Sequence, residues 1–322
     1  MPRLITAKDF APLLADAGSM TGAIDSIERA YMADFEGKVR RGNAVDQFKS
    51  GETDNSMRFN LTAGDGLLTG LQAQSSGGAP NSRFLMLFDN DTRELKAILD
   101  TSPFNPVRVG AEGGLGAKYL SPDAKVLGVV GSGKQARTQV QAIAAALPGL
   151  ETIKVFSPTQ EHREAFAKDM SQWLGKNIVA VDSVQEAIRD ADIVDLVNTA
   201  PDKFFETDWI KPGATVMSIT GRAQTPDDFL TRTRMVAPSW DILANNQLRN
   251  PYFSAIKAGT YSKEDYAGDL SQVIAGQRNP RNAPTDIVDF EATAMPILDH
   301  GIAEWAYNWA EQNKAGTEFS IS

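Results

Sequence analysis

Apolar residues recur at helical spacing near the start of the chain and predict helices over 7–15 and 19–36. In the second of these, Ile24, Ile27, Ala30, Tyr31 and Phe35 share a face, and Gly37 is a natural stop. From Met57 to Leu99 the period shortens to that of strands. FLMLFD (84–89) and DTRELKAILD (91–100) read as two strands joined by an Asn90-Asp91 turn. After Leu120 the pattern changes again. VLGVVG (126–131) is a short apolar strand, and a helix follows to about Leu147. TIKVFS (152–157), a helix over 160–174, NIVAVDS, VQEAIRDA and DIVDLVNTA continue the alternation, and ATVMSIT (214–220) and RMVAP (234–238) are further apolar strands. Near-continuous apolar strands alternating with helices mean a parallel sheet covered on both faces. The run PILDHGIAEWAYNWAEQ closes the chain as a helix with Ile297, Ile302, Trp305, Ala306 and Trp309 on one side.

These patterns divide the chain into an α+β domain at the N-terminus, a doubly wound domain over 120–294, and a last helix that returns to the first domain. The first domain is then 1–119 plus 295–322. Composition narrows the chemistry. A net charge of −9 argues against nucleic acid or an anionic membrane as partner. With no cysteine and only two histidines, His162 and His300, a disulfide, a thiolate nucleophile, an iron–sulfur cluster and a histidine-rich metal cage are excluded, and no metal site is expected. MPRLITAKDF lacks an apolar core of signal-peptide length, and no run approaches the roughly 18–20 apolar residues of a membrane span. The cytoplasm is the expected location.

The run VVGSGKQAR (129–137) carries the clearest chemistry. A dinucleotide site needs a glycine that turns sharply off a strand, a second that lets the backbone approach the pyrophosphate, and a small residue that lets the helix pack close. Gly131, Gly133 and Ala136 stand in that order, with Ser132, Lys134 and Gln135 completing the turn. The helix behind the turn points its amides and dipole at the phosphates. The expected fold is therefore α/β, a Rossmann doubly wound parallel sheet joined to the α+β domain. Strand ends carry the ligands in such sheets, which adds Asn198, Thr199, Ala200 and Thr220 as cofactor contacts. An acidic residue at the end of the second strand normally takes the ribose 2′-hydroxyl, and here Ser157 occupies that place. Thr159, His162 and Arg163 are nearby donors for a 2′-phosphate, so NADP(H) is favoured, with NAD(H) the alternative.

With these residues in view, the chain resembles the ornithine cyclodeaminase/μ-crystallin family. GSGKQA is similar to that family's GxGxQA turn, and LMLFDNDTRELKAILD to its LFD–x–TGxxxAxLDG hairpin. NPVRVGAEGGLGAKYL is similar to TxxRTAAxSALAAKYL, WIKPGATVMSITG to WLKPGTHVNAIG, and LSQVIAGQRNPRNAPTDIVDF to the segment near the family's end. The resemblance covers nearly the whole chain. It implies a homodimer formed through the N-terminal domain, the nicotinamide in the cleft between domains, and hydride exchange at the α-carbon of an amino or imino acid. It also implies that Arg108, which matches the arginine of the RTAA segment, binds the substrate carboxylate, as a bidentate guanidinium fits that group.

The departures from the family gather around the substrate. Gln72, in TGLQAQS, replaces the lysine of the family's GVK strand and cannot titrate. Ala223 stands where cyclodeaminases carry an aspartate, and Asp227 and Asp228 beyond it open the helix DDFLTRT. Arg40, Arg41 and Arg58 are all near the place of the family's early arginine. Arg222 follows a strand end, and with Arg58 and Arg108 it could meet a second carboxylate. His300 beside Asp299 reads as a helix-surface or interdomain contact, and the Trp305/Trp309 stripe as packing. Loss of the acid weakens a cyclodeaminase reading. The expected function is an NAD(P)H-dependent imine reductase or amino-acid dehydrogenase acting on a small imino or amino acid, or on a 2-oxo acid plus an amine, through Arg108, Gln72, Arg58 and Arg222. The alternatives are an ammonia lyase with bound NAD, and a protein that mainly binds NADPH.

Overall fold

The computed structural model describes residues 1–41, 47–49, 56–64, 67–76, 82–200, 202–219, 225–245, 252–292 and 295–320. Two compact units emerge, Met1–Arg108 with Ala294–Ser322, and Val109–Thr293.

In the first unit, β1 (Arg3–Ile5), β2 (Val39–Arg41), β3 (Gln47–Lys49), β4 (Ser56–Gly64), β5 (Thr69–Ser76), β6 (Arg83–Phe88) and β7 (Leu95–Asp100) share a sheet with the C-terminal strand Thr317–Glu318. β4 to β7 are consecutive antiparallel neighbours, β1 runs parallel to β7, and the C-terminal strand caps β1. Alternation decides the two faces. Ile5, Leu85, Leu87, Ala97 and Leu99 are buried on one of them. That core is built with α1 (Ala11–Ala15), α2 (Met20–Phe35) and the C-terminal helix Pro296–Asn313. Gly301 lets that helix approach the Ser26 carbonyl, where a Cβ would stand 3.0 Å away, and Gly22 makes room for the Trp305 indole. Trp305 and Trp309 pack toward Phe104 and Phe10, as the apolar stripe required. The opposite face is half-open, with Leu4, Met57 and Leu61 between 37% and 46% exposed.

Two local expectations change. The first helix covers only Ala11–Ala15, because Thr6 donates to Asp9 in a turn and a proline opens the helix behind it. The β6–β7 connection is longer than an Asn-Asp turn. It runs from Asp89 to Glu94, with Asp89 accepting from the amides of Asp91 and Thr92 and Arg93 in the left-handed region at φ 62°.

The second unit opens within α3 (Phe104–Leu120), so the division falls at 108/109 rather than 119/120. Glycines hold the later part of α3 to this unit. A Cβ at Gly110 would meet the Thr138 backbone at 2.5 Å, and one at Gly116 the Phe290 ring at 2.6 Å. The unit's sheet contains β8 (Val126–Val130), β9 (Thr152–Phe156), β10 (Ile178–Ala180), β11 (Ile193–Leu196), β12 (Thr215–Ser218), β13 (Thr233–Ala237), β14 (Gly268–Asp269) and β15 (Ile287–Glu291). All pairings are parallel, in the order β10-β9-β8-β11-β12-β15-β13-β14. The connections include α4 (Lys134–Ala146), α5 (Gln160–Leu174) and α6 (Val184–Ile188). The strand order reverses between β8 and β11, which makes the crevice beyond their C-terminal ends the place for a ligand.

Candidate functional site

The turn after β8 forms the floor of a cavity of about 450 Å³. Gly131, Ser132 and Gly133 line it with Ser157 and Thr159 from the end of β9, and Asn198, Thr199 and Ala200 from the end of β11. Gly131 must be glycine, since φ is 133° and a Cβ would lie 2.3 Å from the Val197 carbonyl oxygen. Gly133 is needed for the opposite reason. Nothing lies within 4 Å of the position its Cβ would take, and no side chain caps the N-terminus of α4. Space and free amides therefore stand together where a pyrophosphate would bind. Ala136 is fully buried, which brings α4 close to the sheet. Gln135 Oε1 and Asn198 Nδ2 are buried without a hydrogen-bond partner among the described residues. Such atoms cost stability unless something meets them. A dinucleotide fits this cradle.

Ser157, 6% exposed, accepts from Ser132 Oγ at 3.0 Å and donates to the Thr159 carbonyl. Arg163 corrects the reading of the β9 end. Its guanidinium turns away from the cavity, donates to the Ser157 carbonyl, pairs with Asp182 at 2.6 Å and lies over the Phe156 ring. The strand-end carbonyl needs a donor, and Arg163 is consumed in supplying it. His162, one position earlier on α5, lines the cavity instead. Lys134 is exposed in the first turn of α4. Thr220, Arg222 and Ala223 lie outside the described residues.

The first unit holds a second constellation. Arg108 is 6% exposed; its Nε pairs with Asp299 Oδ1 at 3.0 Å and its Nη2 donates to Asn105 Oδ1 at 3.5 Å. Asn105 Oδ1 also accepts from Arg83 Nη1 at 3.2 Å. Arg58, Gln74 and Arg83 are register partners across β4, β5 and β6, with Asn60 and Gln72 forming the next inward-facing pair. Burial pulls the Arg83 pKa down, Asp299 opposes this, and Arg108 and Arg58 add to the depression. Asn60 Nδ2 donates to Gln72 Oε1 at 2.8 Å, leaving Asn60 Oδ1 and Gln72 Nε2 buried and unpartnered among the described residues. His300 is not on a helix surface. It is 2% exposed and lies over Gly70, where a Cβ would be 2.1 Å from its ring. Burial pushes its pKa down to about 4, against a backbone hydrogen bond at Leu68 and the charge of Asp299. Asp228 stands at the N-terminus of the short helix Phe229–Arg232 without a side-chain capping bond; it accepts from Thr207 at 2.7 Å and pairs with Arg232 at 2.8 Å.

Arg83, Asn60 and Asn105 escaped the sequence reading, and Asp299 was read without its partner. Signals for them existed. Arg83 continues the inward alternation of Leu85 and Leu87, and Asn105 precedes Arg108 by one helical turn. No group of three potential metal ligands occurs among the described residues.

Comparison with known proteins gives the chain a family and a set of relatives. The model of the ornithine cyclodeaminase/mu-crystallin family matches residues 60–314. A Delta(1)-pyrroline-2-carboxylate reductase of Bacillus cereus is 25% identical over 72% of this chain and 72% of its own length. The structure of Thermococcus litoralis Delta(1)-pyrroline-2-carboxylate reductase with NADH and L-proline superposes with a TM-score of 0.84 at 24% identity, covering 98% of this chain and all of that one. An archaeal alanine dehydrogenase dimer with bound NAD also gives 0.84, at 20% identity, over 100% of this chain and 99% of that one.

Proposed function

Because the chain belongs to the ornithine cyclodeaminase/mu-crystallin family, we propose that it is an NAD(P)H-dependent oxidoreductase that reduces the C=N bond of a small imino acid. The observation that carries this reading is the buried Arg108, oriented by Asp299 and Asn105, in a chain that also builds a dinucleotide cradle. When bound, the dihydronicotinamide supplies the hydride. Gly131, Gly133 and the amides at the start of α4 hold the pyrophosphate, and Asn198, which lines the cavity, offers its Nδ2 as a further polar contact. Arg108 binds the α-carboxylate and so orients the imine carbon. Gln72 and Asn60 hold the substrate by hydrogen bonds and move no proton. The imine therefore reacts as the iminium, which already carries the proton the amine product needs.

NADPH is the favoured cofactor in this reading. Ser157 leaves a 2′-phosphate unopposed by a carboxylate, and Thr159 and His162 line the cavity beside it. The working form is a homodimer in the cytoplasm. Support for the dimer comes from the half-open apolar face of the first sheet and from the dimeric archaeal alanine dehydrogenase. Among the described residues no helix is long and apolar enough to cross a membrane.

The test is absorbance at 340 nm with NADPH and a panel of pyruvate, glyoxylate, oxaloacetate and cyclic imines, with ammonia or methylamine where needed. Net oxidation of NADPH is expected. Ammonia release from a diamino acid without net cofactor turnover would instead mark a lyase, and tight NADPH binding with no turnover across the panel a binding protein.

A further inference from the structure

The first unit contains more positive charge than one α-carboxylate explains. Arg108 has its own counter-charge in Asp299. Arg83 does not. Its Nη1 donates to a neutral acceptor, Asn105 Oδ1, and among the described residues neither Arg83 nor Arg58 has an ion-pair partner. Arg83 is half-buried, and the desolvation of its guanidinium is opposed only by the charge of Asp299, which already pairs with Arg108. Asn105 fixes the spacing, because one carbonyl oxygen accepts from both Arg83 and Arg108 and holds the two like charges beside each other. Arg58 extends the same row across β4 and is exposed, so the cluster opens to solvent at this edge. Two guanidiniums held side by side, with the single carboxylate of Asp299 serving both, suit a ligand with two carboxylates better than a ligand with one.

We infer that the substrate is a dicarboxylic imino acid, with Arg108 on the α-carboxylate and Arg83, assisted by Arg58, on the distal one. This rests on the reductase reading for the reaction, but the binding of two carboxylates stands on the arginines themselves. No new step is added. The hydride goes to the imine carbon as before, and the distal carboxylate is held without reacting. Arg83 is on this account a specificity-determining residue.

The experiment has two arms. With NADPH and ammonia, kcat/KM is compared for oxaloacetate and 2-oxoglutarate against pyruvate and glyoxylate. The better dicarboxylate is expected to exceed pyruvate by about 10- to 100-fold, the worth of one charge-assisted hydrogen-bonded pair. In Arg83→Gln that ratio is expected to fall by a similar factor, which a merely structural role would not produce because it would lower both substrates together. The second arm needs neither turnover nor a variant. Succinate is expected to raise the thermal midpoint of the wild-type protein more than propionate at equal concentration and ionic strength. Equal protection by the two acids, or pyruvate turnover matching both dicarboxylates, would overturn the inference. Selective protection by succinate with no reduction of any imine would uphold the paired-carboxylate site and overturn the reductase reading.

Discussion

The guanidinium of Arg108 is held by Asp299 and Asn105, so its loss removes a preformed carboxylate clamp and strips Asp299 of its partner. Arg108→Ala is expected to lower kcat/KM for the imino acid by at least about 100-fold while the dissociation constant for NADPH stays within about threefold. Equal losses in both, measured by steady-state kinetics and cofactor fluorescence, would assign Arg108 to the cofactor instead. A second pair of variants separates neighbours on α5. His162→Ala is expected to lower the NADPH-to-NADH ratio of kcat/KM by about five- to tenfold, because His162 lines the cavity. Arg163→Ala should leave that ratio unchanged and lower stability by about 1–3 kcal/mol, because Arg163 ties Ser157 to Asp182. Asp195 makes a further claim. It is fully buried in β11, flanked in register by Val129 and Met217, with neither carboxyl oxygen partnered among the described residues. Burial pushes its pKa up to about 8, whereas an unfolded aspartate titrates near about 3.9. The folded state therefore keeps a proton that the unfolded state has lost, and its stability falls as pH rises between those values and levels off above the higher one. Asp195→Asn should flatten the decline in unfolding free energy between pH 6 and pH 8, read by denaturant titration. An unchanged slope would mean that Asp195 is ionised in the fold.

The two glycines of the β8–α4 turn act on different things, and substitution should separate them. Gly131→Ala forces a Cβ toward the Val197 carbonyl in a left-handed conformation, and is expected to cost about 1–3 kcal/mol from backbone strain alone. Gly133→Val places its Cβ where nothing lies within 4 Å. It should leave the unfolding midpoint nearly unchanged yet abolish NADPH binding in a titration, by filling the cradle. If Gly133→Val binds NADPH normally, the pyrophosphate lies elsewhere. The elements of the second unit were legible because buried parallel strands leave unbroken apolar runs such as VLGVV and TIKVF, and α5 spans the residues its pattern marked. α3 was not read as a helix. Gly110, Gly113, Gly114 and Gly116 dilute its apolar stripe, although three of them are what let it pack against Thr138, Gln139 and Phe290. The insertion of β15 between β12 and β13 could not be read either, since strand pairing at such separation depends on tertiary contacts rather than local pattern. At the site, the turn residues were legible from spacing. Spacing could not separate Arg163 from His162, because helical phase decides which of two adjacent residues lines the cavity, and here that is His162.

For the whole molecule, the half-open face of the first sheet is the feature that a monomer leaves unexplained. Leu4, Met57 and Leu61 lie exposed beside partly buried Phe59, Leu71 and Met86. Analytical ultracentrifugation is expected to give a dimer, and Leu61→Glu together with Met57→Glu a monomer that still binds NADPH. A wild-type monomer at micromolar concentration would contradict the dimer. The proposed division of labour is that the second unit holds the dinucleotide while the first reads the carboxylate, and catalysis needs both. The most direct test of that claim is a single trace of absorbance at 340 nm, with the purified protein, NADPH, ammonia and a 2-oxo acid. The account predicts a steady fall matched by one equivalent of amino acid formed. A flat trace across the whole panel, from protein shown to bind NADPH, would contradict it.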